Sequence, residues 1–248
     1  MTPEFTTLSG LLSPVTIAGI DMTLLDALAF LWFAIVTVGY GLFSRYGPAS
    51  ESNLISAIQH QREAWMANMA RRDDRVQDVL LVSNLAAGNT FFASTSVILL
   101  GALSALLGSG ETAHRIVAGL PHALDAPPVL WNLKILTLMA VFIYAFFKFA
   151  WAFRLAHYAM ILVGATPAAG KASEKVRLAH GARTARLAGI AGEHSNSGLR
   201  AYYFAIAGTA WFYHPLLFIL ATTWVLLIVI RREYLSRSLA IIGAGSEP

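Results

Sequence analysis

Cysteine is absent from the 248 residues, which excludes disulfides, thiolate catalysis, cysteine-ligated zinc and iron–sulfur clusters, and leaves the redox compartment unreadable. Charge is scarce as well. Only 13% of residues are charged, where a soluble domain carries about a quarter. With 56% hydrophobic residues and a mean hydropathy of +0.59, the composition is that of an integral membrane protein. The first twenty residues hold no Lys or Arg, so the basic n-region of a cleaved secretory signal is missing and the N-terminus is expected to be retained. No Walker loop, dinucleotide fingerprint or nucleophile elbow occurs, and no cofactor is expected. Internal repeats, low-complexity tracts and the inverted repeat of transporters are also missing, so residues 1–248 read as a single membrane domain.

What is present is a set of long apolar runs. Leu24–Phe43, Val79–Leu107, Leu130–Val163 and Ala201–Ile230 each reach the roughly 20 residues needed to cross a bilayer core. The last three exceed one crossing, which predicts that they continue as helix beyond the lipid. The expected fold is therefore all-α: a polytopic bundle of four transmembrane helices with long cytoplasmic helical extensions. Over about residues 52–78, Leu54, Ile58, Trp65, Met69, Val76 and Leu80 recur at helical spacing, and no Pro or Gly interrupts the chain before Gly88. An amphipathic helix running directly into the second span is predicted. A second, basic amphipathic helix is predicted over about 171–191, with Val176, Leu187 and Ile190 on its apolar side. It either packs on the first or lies on anionic headgroups.

The basic residues mark topology. Arg45, Arg62, Arg71, Arg72 and Arg75 in the first loop and Lys171, Lys175, Arg177, Arg183, Arg186 and Arg200 in the third make eleven. Arg115, Lys134, Arg231, Arg232 and Arg237 on the other side make five. The positive-inside rule places both loops in the cytoplasm and both termini outside. A net charge of only +4, with the basic residues concentrated in loops, argues against nucleic acid as a partner and leaves the lipid bilayer as the surroundings.

Polar residues inside the spans are the candidates for function. Along the second span Ser83, Ala87, Thr90, Ser94, Val97, Gly101, Ser104 and Gly108 form a narrow stripe, opposite an apolar face of Leu85, Phe92, Leu99, Leu103 and Leu106. Small residues let helices approach closely, so the stripe suits a helix–helix seam; alternatively Asn89, Thr90, Ser94, Thr95 and Ser96 line a hydrophilic path. Lys134 can snorkel at the outer boundary. Lys148 either snorkels to the inner one or faces the bundle, and with Arg154, His157, Phe147, Phe149, Trp151 and Phe153 it forms a basic and aromatic belt. In the fourth span Pro215 frees the carbonyl of Trp211 beside His214, which offers a midplane polar pocket. His60 and Glu63 stand at i, i+3, the spacing of di-iron bundles, but in one copy where two are needed, so they are weak metal candidates. Glu51, Glu63, Asp73, Asp74 and Asp78 read as intrahelical partners of the nearby arginines.

Four ordered motifs, FFASTS at 91–96, FFKFAWAFR at 146–154, NSGLRAYYFA at 196–205 and RREYLSRSL at 231–239, resemble the DUF599 family of bacterial inner-membrane proteins, a domain of unknown function. The resemblance implies a four-span membrane protein and no known activity. Four helices enclose little volume, and the small stripe and the amphipathic loop favour homo-oligomerisation. The leading expectation is a homo-oligomeric channel or transporter for a small solute or ion. An accessory subunit of a larger membrane complex is the alternative, and a membrane-embedded enzyme ranks third.

Overall fold

The computed structural model describes residues 13–17, 19–47, 53–108, 110–121, 123–124 and 126–243; the extreme N- and C-terminal residues and Glu51, on which some of the expectations fall, lie outside them. A short antiparallel hairpin, β1 (Pro14–Ile17) and β2 (Ile20–Thr23), precedes α1 (Leu24–Tyr46), α2 (Leu54–Arg71) and α3 (Val76–Gly108). There follow α4 (Gly110–Ala118), α5 (Pro128–Gly164), α6 (Glu174–Thr209), a 3-10 turn (Ala210–Phe212), α7 (Pro215–Tyr234) and α8 (Arg237–Gly243). The protein is thus almost entirely α-helical. Four helices are long and apolar enough to cross a membrane: Leu24–Tyr46, Val76–Gly108, Pro128–Gly164 and the stretch Pro215–Gly243.

The predicted continuous helix from residue 52 into the second span is broken. Its first part ends at Arg71, and Arg72 is extended, its N–H donating to the Met69 carbonyl. No Pro or Gly is needed, because the Arg-Arg-Asp-Asp-Arg run supplies side chains that outcompete the helical backbone. Asp74 accepts the Val76 N–H at 3.1 Å and so caps α3, and Asp73 accepts the Ala169 N–H at 2.6 Å. Arg75 donates to the carbonyls of Thr166 and Pro167. Asp78 is buried and accepts from Trp65 Nε1 at 2.7 Å and Arg72 at 2.8 Å. These acids therefore tie elements together instead of forming intrahelical pairs on a solvated face, as does the Arg71–Glu174 bridge between α2 and α6 at 3.1 Å.

The fourth predicted span, Ala201–Ile230, is also not one helix. Residues 201–209 finish α6, the chain turns through 210–214, and α7 starts at Pro215. Proline at the first helical position costs no hydrogen bond, and His214 caps it, Nδ1 accepting the Leu216 N–H at 3.1 Å. α6 and α7 then run antiparallel: Asn196 and Arg200 meet Arg232 and Glu233 at one end, and Phe204 and Phe218 share a core cluster at the other.

Among the described residues, contacts group the chain into two compact units. Unit 1 comprises residues 13–45, 97–143 and 201–228. Its core joins Phe33, Leu130, Phe204, Trp211 and Phe218, with Trp211 stacked on Phe218 at 5.1 Å. At its centre lies an ion pair. Asp26, in the first turn of α1, accepts from Thr23 Oγ1 at 2.6 Å and from Trp211 Nε1 at 2.8 Å. Lys134 Nζ stands 3.6 Å from Asp26 and donates to the Trp211 carbonyl at 2.9 Å. Both side chains are buried, so Lys134 does not snorkel. The Trp211 carbonyl freed by Pro215 is capped by this ammonium.

Unit 2 comprises residues 46–96, 144–200 and 229–243. Met66 and Met69 of α2, Val82 and Ala86 of α3, Leu155, Ala159 and Val163 of α5 and Ala185 of α6 form its core. Of the predicted apolar side of α6, Leu187 packs against this core, whereas Val176 and Ile190 are 45% and 44% exposed. The face that packs on α2 is instead the small one. A Cβ at Gly181 would stand 2.6 Å from the Met66 carbonyl oxygen, so only glycine permits that approach. α8 also lies on α2, Gln61 Nε2 donating to the Ile242 carbonyl at 3.3 Å. The C-terminal segment therefore shares a unit with the first and third loops.

Candidate functional site

A network of buried polar groups in unit 2 borders a cavity of about 390 Å³, within the range of small-molecule sites. Five helices build it. α2 contributes Leu54, Ile58 and Trp65 of the stripe whose periodicity is legible in the sequence, together with Arg62, and α3 contributes Val82, Leu85 and Asn89. α5 supplies Ala156, α6 supplies Gly192, Ser195 and Asn196, and α7 supplies Arg232 and Glu233.

Glu233 organises the polar wall. It is 1% exposed, lies 3.4 Å from both Arg200 and Arg232, and accepts from Asn196 Nδ2 at 3.3 Å. Asn196 in turn accepts from Arg232 at 3.2 Å. A buried carboxylate is tolerated because two guanidiniums and an amide replace its hydration. Arg62 stands opposite Gly192, where a Cβ would meet its Nη2 at 2.6 Å; the glycine makes room for the guanidinium. Burial pulls Arg62 below the ordinary guanidinium value and Glu193 opposes that shift. Asn89 is 6% exposed, and its amide oxygen is buried without a hydrogen-bond partner. Two guanidiniums, Arg62 and Arg232, face one carboxylate, Glu233, in the lining, most of the remaining wall is apolar, and the Asn89 oxygen is an acceptor that calls for a donor. Such a site suits a small anion with an apolar body.

The remaining sequence candidates do not converge on this cavity. Thr90 and Ser94 are exposed on the surface of the single chain. Thr95 donates to its own Phe91 carbonyl and Ser96, which is buried, to Phe92, each at 2.9 Å. Among the described residues the small stripe is exposed: a Cβ at Gly101 or Gly108, or at the flanking Gly88, would meet no atom within 4 Å. Much of the apolar face turns inward, although Leu85 is 66% exposed. Phe92 stacks on Phe149 at 5.1 Å and Leu99 and Leu103 join a core cluster, since large side chains fill the space between helices that small ones leave empty. His214 is the α7 cap in unit 1, and Lys148 lies over the Tyr144 ring at 5.1 Å beside a different groove. His60 and Glu63 form an exposed pair at 3.8 Å, and among the described residues no cluster of three metal-ligating side chains occurs.

Asp26, Glu233 and Asn196 were not singled out from the sequence. A lone carboxylate in Leu-Leu-Asp-Ala-Leu-Ala is the signal for Asp26, since an ionisable group in an apolar run needs a partner. For the second network the signal was the pair of motifs NSGLR and RRE, whose Asn196, Arg200, Arg232 and Glu233 meet in space.

Helices of membrane-spanning length around buried ionic networks define a multi-pass α-helical membrane protein. The family model described as "Protein of unknown function, DUF599" matches residues 28–238, and the chain belongs to that family. No curated protein and no solved structure matches it.

Proposed function

We propose that the chain is a homo-oligomeric transporter of the cytoplasmic membrane that takes a small amphipathic anion at the unit 2 cavity. The observation that carries the reading is the pair of guanidiniums, Arg62 and Arg232, on a cavity wall that holds a single carboxylate, Glu233. The exposed small stripe of α3 supports the oligomer, because small residues are what membrane helices present to one another. It also supports the second reading, an accessory subunit seated on a different membrane protein. In proteoliposomes a short-chain alkylsulfonate, permanently anionic and so unable to leak as a neutral acid, should be taken up above the protein-free level. Arg62→Gln should weaken its binding by about tenfold or more, the scale of a charged hydrogen bond. Absence of both uptake and binding by the wild-type protein would defeat the transport reading.

The α6–α7 hairpin supports a revised topology. If α7 crosses the membrane, the end of α6 crosses beside it, which makes five passes and puts the termini on opposite faces. The C-terminal Arg231, Arg232 and Arg237 then join the eleven basic residues of the first and third loops, raising the cytoplasmic count to fourteen against Arg115 and Lys134. That asymmetry fits the positive-inside rule better than the four-pass count. A fluorescent protein fused after Pro248 should therefore be bright and alkaline phosphatase at the same place inactive. An active C-terminal phosphatase would restore the four-pass arrangement.

A further inference from the structure

A second groove in unit 2, of about 460 Å³, lies between α5 and α6. Tyr144, Phe147, Lys148, Trp151 and Arg154 follow one another along a single face of α5, and His194 of α6 closes the other side. No carboxylate lines it. Lys148 is set against the Tyr144 ring, and neither it nor Arg154 is in an ion pair among the described residues. Glu193, the neighbour of His194, acts on Arg62 at the other cavity. Phe147 and Trp151 are 65% and 47% exposed, although both sit on a helix of membrane-spanning length.

We propose that this groove binds the phosphate headgroup of an anionic phospholipid. With no carboxylate in its lining, the groove offers Lys148 and Arg154 to a phosphodiester, and guanidinium and ammonium donors match its oxygens. Six residues separate Lys148 from Arg154, about 9 Å along the axis. A headgroup held between them is within reach of both flexible stems. The exposed rings assign the source of the phosphate. Along Phe147 and Trp151 an acyl chain gains apolar contact, whereas a free, hydrated phosphate gains nothing from either, and amphipathic rings favour the level of the membrane interface. Lys148 and Arg154 thus act together as a lipid clamp, a role separate from the solute cavity and independent of whether that cavity transports.

The test is native mass spectrometry of the full chain released from phosphatidylcholine nanodiscs doped with phosphatidylglycerol of the same acyl chains. The wild type should retain phosphatidylglycerol in preference to phosphatidylcholine. Lys148→Gln and Arg154→Gln should each reduce that retention by about fivefold, the worth of one basic side chain near an anionic surface. Lys148→Arg, which keeps the charge, should hold it, and Arg237→Gln, remote and exposed, should leave it unchanged. Equal retention of the two lipids by the wild type would overturn the proposal, as would unaltered retention in the Arg154→Gln protein, whose exposed site carries no folding role. Displacement of phosphatidylglycerol by free inorganic phosphate at millimolar concentration would show a site for small anions and would equally overturn the lipid assignment.

Discussion

Lys134→Met is expected to destabilise the protein by about 3–5 kcal/mol, the cost of stranding one partner of a buried ion pair. The substitution removes the ammonium 3.6 Å from Asp26 and the donor at 2.9 Å to the Trp211 carbonyl. Asp26 would keep only Trp211 Nε1 and the Thr23 hydroxyl. The Trp211 carbonyl, which α7 cannot use because Pro215 has no N–H, would lose its cap. Thermal unfolding in detergent, followed by circular dichroism, should show the loss as a lower midpoint. Adding Asp26→Asn should recover a substantial part of it, since the double variant leaves no charge behind. A Lys134→Met protein as stable as the wild type would mean that the pair contributes nothing to holding the turn.

Glu233→Gln separates architecture from ligand chemistry, because its two expected effects have opposite signs. Removing this charge leaves Arg200 and Arg232 facing each other without their common carboxylate, and stability should fall by about 3–5 kcal/mol. The same change raises the positive potential at the cavity that Glu233 lines. Binding of an alkylsulfonate should then tighten by about tenfold, the scale of one charge roughly 10 Å away at an effective dielectric of about 20. Equilibrium dialysis against labelled alkylsulfonate measures this in detergent at a temperature well below the lowered midpoint. Lower stability with unchanged affinity would make Glu233 a structural counter-ion alone and would remove the anion from the proposed function.

Hydropathy made the membrane-length helices legible, and the period of Leu54, Ile58, Trp65 and Met69 correctly marked an inward-facing stripe on α2. What periodicity could not supply was the partner of each polar group. The freed carbonyl at Trp211 follows from Pro215 alone, but that Lys134, 77 residues earlier, would cap it depends on how α5 packs. Likewise the break at Arg72 carries no Pro or Gly; it arises from Asp73, Asp74 and Asp78 bonding to backbone and side chains, two of them distant in sequence. The small stripe of α3 was a real pattern with its direction left open. A face can be read from the sequence, but which side of it meets the rest of the chain is a tertiary fact.

The hairpin of α6 and α7 has a consequence for how the protein is made. Only nine residues, Ala201 to Thr209, separate Arg200 from the turn, far short of the roughly 20 apolar residues that partition into lipid unaided. The translocon therefore has no independent reason to release this segment into the bilayer. On the proposed five-pass topology it would enter only together with α7, as a pair joined by the Arg200–Glu233 bridge. On that topology, insertion of the C-terminal part would be a single late event, and the unit 2 cavity, which Arg232 and Glu233 line, would be completed only at that step.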